Sequence, residues 1–379
     1  MTWYRPMAAR SGSSHRAATP LELLFDLCFV VAVAQVSAKL HHALAEDHIV
    51  QGLLGFATVF FAIFWAWLNF TWFASAYDTD DVPYRLVTLV QIAGVLILAA
   101  GVPRAFDQRD FGVIVIGYSV MRLALAAQWL RAAVSDAARR RTAIRYAVGI
   151  TVCQFGWMAL LLVRPELGFL GGFAVLVACE MLVPVWAERA SATTWHPEHI
   201  AERYSLFTII VLGETILSAT VAIQAGLDVG GRLGELVVIA ASGLVVVFGM
   251  WWVYFDRPAH ERLGQTDRTS FLWGYGHYVV FASAAAVGAG LAVAADSATH
   301  AAHLSERGAA FAVAIPVAVY LCSVWLLQVR PRNRVVYLAA SVLALLTPLS
   351  PIALPLLALV VAALVTAVVV NGEKRGDLE

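Results

Sequence analysis

Lysine is almost missing from this chain. Only Lys39 and Lys374 occur, so nearly all of its 26 basic residues are arginine. Charge of any kind is scarce. Charged residues make up 14% of the 379, against about 25% in an average soluble domain. The 26 acids balance the 26 bases, so no basic surplus points to nucleic acid. Cysteine is sparse too: Cys28, Cys153, Cys179 and Cys322 each lie in an apolar run, with no C-x-x-C pair. That pattern excludes a disulfide framework or zinc knuckle and reads as four reduced, small apolar residues. HExxH, a phosphate-cradling glycine loop and GxSxG are also absent, so the sequence calls for no cofactor and no metal.

What the chain has instead is apolar length. Hydrophobic residues reach 60% and the mean hydropathy is +0.75. A helix needs about 20 apolar residues to cross the hydrocarbon core. Twelve segments qualify or nearly so: 21–41, 50–75, 84–102, 111–131, 143–163, 166–187, 203–222, 232–255, 271–295, 308–328, 333–347 and 350–370. The eleventh is short, and Pro348, Pro351 and Pro355 crowd its join to the twelfth. The expected fold is all-α, a polytopic transmembrane bundle of about twelve helices. A tail over 1–20 precedes it and another over 371–379 follows. The first twenty residues carry Arg5, Arg10 and Arg16 and no cleavage pattern after a short apolar core, so no removed signal peptide is expected.

Loop charge predicts orientation. With the N-terminus in the cytoplasm, Lys39, Arg104, Arg109, Arg164, Arg232 and Arg307 face outward and Arg122 lies within a span. The other 19 basic residues fall on the inner side. Both termini are expected in the cytoplasm.

Ionisable groups inside spans are costly and mark candidate sites. Here they are Glu22, Asp26, Asp78, Arg122, Glu180, Arg203, Glu214 and His277, most of them in the inner half. Glu22 and Asp26 lie one turn apart on one helical face. Arg203 and Glu214 share a face but sit about 16 Å apart along the axis, so each needs a partner on another helix. Arg122 is the cation at the depth of Glu214, which predicts that these two pair, with Asp26 as the competing partner. Packing alone is the alternative for each: Glu22 also fits a helix cap after Thr19–Pro20, and His277 in "WGYGHYVVF" also reads as a packing histidine. The i, i+3 pair His199 and Glu202 has metal-ligand spacing, but no third histidine lies nearby.

Aromatics gather in "IFWAWLNFTWFASAYDTDD" (63–81) and "FGMWWVYFDR" (248–257), as interfacial belts do; a substrate path is the sharper reading. The small residues of 281–295 predict close helix packing. Aromatic–Asp endings of the second and eighth helices suggest two parallel six-helix halves, 21–187 and 203–370.

Taken together, "PLELLFDLCFVVAVAQVS", "WAWLNFTWFASAYDTDD", "YRLVTLVQIAGVLILAAGVPRAF", "MRLALAAQWLRA" and "HIAERYSLFTIIVLGETIL" resemble the bacterial low temperature requirement protein A family. The resemblance spans nearly the whole chain. It implies a polytopic bacterial membrane protein and marks Glu22, Phe25, Asp26, Asn69, Asp78, Asp81, Arg85, His199, Glu202, Arg203 and Glu214. It supplies no mechanism. The leading expectation is a transporter or permeation protein of the bacterial cell (inner) membrane, with a polar site open to the cytoplasm and, in its sharper form, proton coupling. A membrane-embedded enzyme that works on a lipid or isoprenoid through buried carboxylates is the alternative. Expected partners are membrane lipids, a small solute, ion or lipid substrate, and a possible second copy of the chain; no nucleic acid is expected.

Overall fold

The computed structural model describes residues 3–9, 17–77, 79–163, 168–257, 263, 267–329 and 333–376. Among them are twelve α-helices and no strand. They are α1 (Pro20–Ala45), α2 (Ile49–Ala76), α3 (Val82–Gln108), α4 (Gly112–Ser135), α5 (Arg140–Leu160) and α6 (Phe169–Glu188). Then come α7 (Pro197–Asp228), α8 (Leu233–Phe255), α9 (Asp267–Ala298), α10 (Glu306–Val324), α11 (Arg334–Leu346) and α12 (Ala353–Gly376). Eleven are long and apolar enough to cross a membrane. The exception is α11, whose 13 residues span about 20 Å against a hydrocarbon core of about 30 Å. A 3₁₀ turn, Thr347–Leu349, continues it to the prolines that crowd this join. The chain is a multi-pass helical membrane protein.

Two compact units emerge. One comprises Met1–Ala32 and Phe61–Arg203, the other Val33–Phe60 and Tyr204–Glu379. The first and second halves of α1 and α2 are thus divided between units, and α7 changes unit after Arg203.

In the first unit α3 packs on α4, α4 on α5 and α5 on α6, as short connections between antiparallel neighbours dictate. The α3–α4 crossing is glycine-tight: a Cβ on Gly94 would lie 2.8 Å from the Gly117 carbonyl oxygen, and one on Gly117 would strike the Leu98 backbone. Small residues let apolar helices approach where lipid offers no hydrophobic drive to associate. Helix α3 opens on Asp81, whose side chain accepts the Tyr84 N–H at 3.0 Å. Residues 3–9 fold back here: Met7 is buried, Tyr4 lies against the Arg131 guanidinium at 4.9 Å, and the Arg5 N–H donates to Asp81 at 2.8 Å.

In the second unit α9 packs along α10, and α8 against α12. The small-residue run 281–295 is buried as expected, and Gly290 of α9 meets the Ala312 carbonyl of α10 backbone to backbone. The end of α1 is tied to α9 by His41 Nε2 and Asp296 Oδ2 at 2.6 Å. A π-helical turn, Trp325–Val329, ends α10.

Candidate functional site

Helix α1 begins with a reciprocal cap. Thr19 Oγ1 accepts the Glu22 N–H at 3.2 Å, and Glu22 Oε2 accepts the Thr19 N–H at 2.7 Å. The cap uses one carboxylate oxygen. The other, Oε1, lies 3.1 Å from His199 Nε2 and 3.3 Å from Arg203 Nη1. One turn further along α1, Asp26 receives a two-pronged contact from the same guanidinium: Nε to Oδ2 at 3.0 Å and Nη2 to Oδ1 at 2.6 Å. The Trp67 indole N–H of α2 adds a third bond to Oδ1 at 2.7 Å. Glu22, Asp26, His199 and Arg203 are all buried. Phe70 closes the group, 4.0 Å from the Phe25 ring and 6.0 Å beneath the Arg203 guanidinium.

The expected shared face of Glu22 and Asp26 is therefore real, and Arg203 finds its partner on another helix. Among the described residues, the Glu22 and Asp26 carboxylates and the His199 imidazole gather around the Arg203 guanidinium. His199 and Glu202 diverge: His199 faces Glu22, while Glu202 Oε1 accepts the Ala18 N–H at 3.2 Å.

Arg122 does not take the expected partner. Its Nη2 donates to Glu180 Oε2 of α6. Glu180 also accepts Trp65 Nε1 at 3.0 Å, the Tyr118 hydroxyl at 3.2 Å and Trp157 Nε1 at 3.2 Å. Position along a helix placed Arg122 opposite Glu214. The α4–α5–α6 succession of neighbours instead delivers Glu180, which a count along single helices cannot show. Arg122 Nε and Nη1 are buried without hydrogen-bond acceptors, and so is the Gln154 Oε1 without a donor.

The two ionic groups share α2. Trp65 and Trp67 are two residues apart, hence about 200° apart around the helix. One indole serves Glu180 and the other Asp26. Within the first unit, Asp26 and Arg122 thus belong to two different ionic groups. Tryptophan is what the sequence reading missed: Trp65 and Trp67 read as belt residues, yet both are buried. The W-A-W spacing beside intramembrane acids is the available signal. Trp251 and Trp252 of α8 are instead exposed on their helix, as a belt would have them.

Glu214 belongs to the second unit. It is buried, with Oε1 accepting Ser218 Oγ at 2.5 Å and Oε2 unpaired. His277 is also there: Nδ1 lies 2.7 Å from the Trp273 carbonyl and Nε2 lies 3.1 Å from the Tyr254 hydroxyl. A carbonyl can only accept, so Nδ1 carries the hydrogen and Nε2 accepts from Tyr254. Gln328, on the π turn, is buried with neither amide atom bonded. Asp78 lies outside the described residues. Its neighbour Asp81 is bound by both ends of the Arg131 guanidinium.

The sequence profile of the bacterial low temperature requirement A protein matches residues 17–372. The chain belongs to that family. It is also 30% identical over 273 residues to an uncharacterised protein of Rhizobium meliloti (strain 1021). The match covers 68% of this chain and 64% of that protein, so the chain spans about two thirds of its relative. No solved structure matches. Of the positions marked by the low temperature requirement A resemblance, Glu22, Asp26, His199 and Arg203 converge on one cluster, with Phe25 against Phe70 beside it. Asn69 bonds the Trp65 carbonyl at 2.8 Å, which steadies the helix carrying both indoles. Arg85 makes an exposed pair with Asp80.

Proposed function

We propose that this low temperature requirement A protein is a proton-linked transporter of a small solute in the bacterial cell membrane, with both termini in the cytoplasm. One observation carries the reading: Glu22 and Asp26 are buried together against the Arg203 guanidinium, with His199 beside Glu22. Burying charge is expensive, and an unbalanced buried carboxylate more so. A protein that only needed packing would satisfy it with fewer charges. Two carboxylates that share the Arg203 guanidinium give a proton a place to bind, and loss of that proton gives Arg203 a reason to change partners. Charge sharing by one Arg between Glu22 and Asp26 is the bistable element that such a cycle needs.

The test is reconstitution into vesicles with a trapped pH-sensitive dye, challenged with a panel of amino acids, sugars, amines and organic acids. At least one solute should drive proton movement in the wild type, and Asp26→Asn should abolish it while the variant stays monodisperse. No solute-dependent proton movement, or full movement in Asp26→Asn, rejects the reading. Chemical conversion of the vesicle lipid would put the membrane-enzyme alternative in its place.

A further inference from the structure

Glu214 sits 17 residues into α7, about 26 Å from its start by helical rise, and is buried in the second unit. It is, among the described residues, the one predicted acid with no cation. Among the described residues no Lys, Arg or His pairs with it, while Glu22, Asp26 and Glu180 each have an arginine. Its surroundings are named quickly. Ser218 Oγ, one turn on, bonds Oε1 at 2.5 Å. Ser37 of α1 is the other hydroxyl at the carboxyl group. The adjacent Thr215 is already committed to the Val211 and Ala284 carbonyls, and α9 presents Gly288 against it. None of these groups is charged. The carboxyl group and Ser37 Oγ are both buried. A carboxylate in such a place, with hydroxyls beside it and no cation, is costly, and a proton on it removes the charge.

We propose that Glu214 is a proton-binding site of the second unit. The carboxyl holds an exchangeable proton on Oε2 and donates it to Ser37, while Oε1 accepts from Ser218. Three side chains with no further acid make a site for a proton rather than a metal ion. This deepens the transport reading and rests on it for the use of the proton, but not for its binding.

Infrared spectroscopy of the purified full-length protein at neutral pH tests it without any transport assay. The wild type should show a carboxylic-acid C=O band that Glu214→Gln removes and Glu214→Asp shifts. In D2O the band should move to lower frequency, because a working site exchanges with water. Its absence from the wild type, its survival in a folded Glu214→Gln, or its indifference to D2O each overturns the proposal. So does its disappearance when sodium chloride replaces choline chloride, which would make the site a sodium site. If Glu214→Gln fails to fold, the Glu214→Asp shift and the D2O shift still decide. A band that behaves as expected in a protein that moves no solute sinks the transport reading alone.

Discussion

Asp26 carries three hydrogen bonds on two oxygens, from Arg203 twice and Trp67 once, and has no exposed surface. Removing one member of such a group strands the other. Breaking a buried pair typically costs about 3–5 kcal/mol, whereas replacing both charges with apolar groups of similar volume is often neutral. Asp26→Leu and Arg203→Met should therefore each lower thermal stability in detergent by that order. The double variant should recover most of the loss, although Glu22 then faces His199 without its arginine. If the double variant transports, the cluster serves packing and the proposed function fails. Trp67→Phe makes a finer probe. It keeps an aromatic ring, smaller than the indole, and deletes one donor; a bond to a charged acceptor is worth about 1.5–3 kcal/mol, and the lost ring volume adds to that.

At the scale of the element, the α2–α3 connection and the end of α4 are held by one carboxylate. Asp81 caps α3 through the Tyr84 N–H, receives the Arg5 N–H and is gripped by Arg131. Burial pushes its carboxyl upward, but the Arg131, Arg5 and Tyr84 hydrogen bonds outweigh this and hold it below the ordinary carboxylate value. A group depressed on folding contributes stability that is complete above its unfolded pKa, about 3.9, and is lost as pH falls through the folded value. Acid should therefore loosen this end of the first unit, and Asp81→Asn should remove that part of the acid dependence while costing about 1.5–3 kcal/mol at neutral pH through the lost charge on the Arg131 bonds, since Asn caps as well as Asp. Thermal unfolding of both proteins from pH 7 down to pH 3 measures it. An acid profile unchanged by Asp81→Asn would contradict the assignment. Asp81 was marked in the sequence by the family resemblance. Its arginine, 50 residues away, was not.

For the whole molecule, the charge bias of the loops predicts which side each connection faces. Single cysteines at Ala137, between α4 and α5, and at Ala301, between α9 and α10, are both exposed positions on opposite predicted sides. A membrane-impermeant maleimide applied to intact cells should label Ala301→Cys and spare Ala137→Cys until the membrane is opened. The reverse pattern inverts the topology and places both termini outside.

The sequence alone determined the class, the helix count and the list of costly residues, because hydropathy and charge act on each segment separately. Twelve apolar runs become twelve helices wherever lipid denies the backbone any other hydrogen-bond partner. Even the short α11 follows from its length. Which charge meets which was decided only by tertiary structure. Arg122 found Glu180 rather than Glu214, and Trp65 and Trp67 turned from lipid-facing belt into donors, because partner choice depends on which helix faces are brought together. Every buried acid must be matched where it lands, and no pattern along a single helix records what stands on the helix beside it.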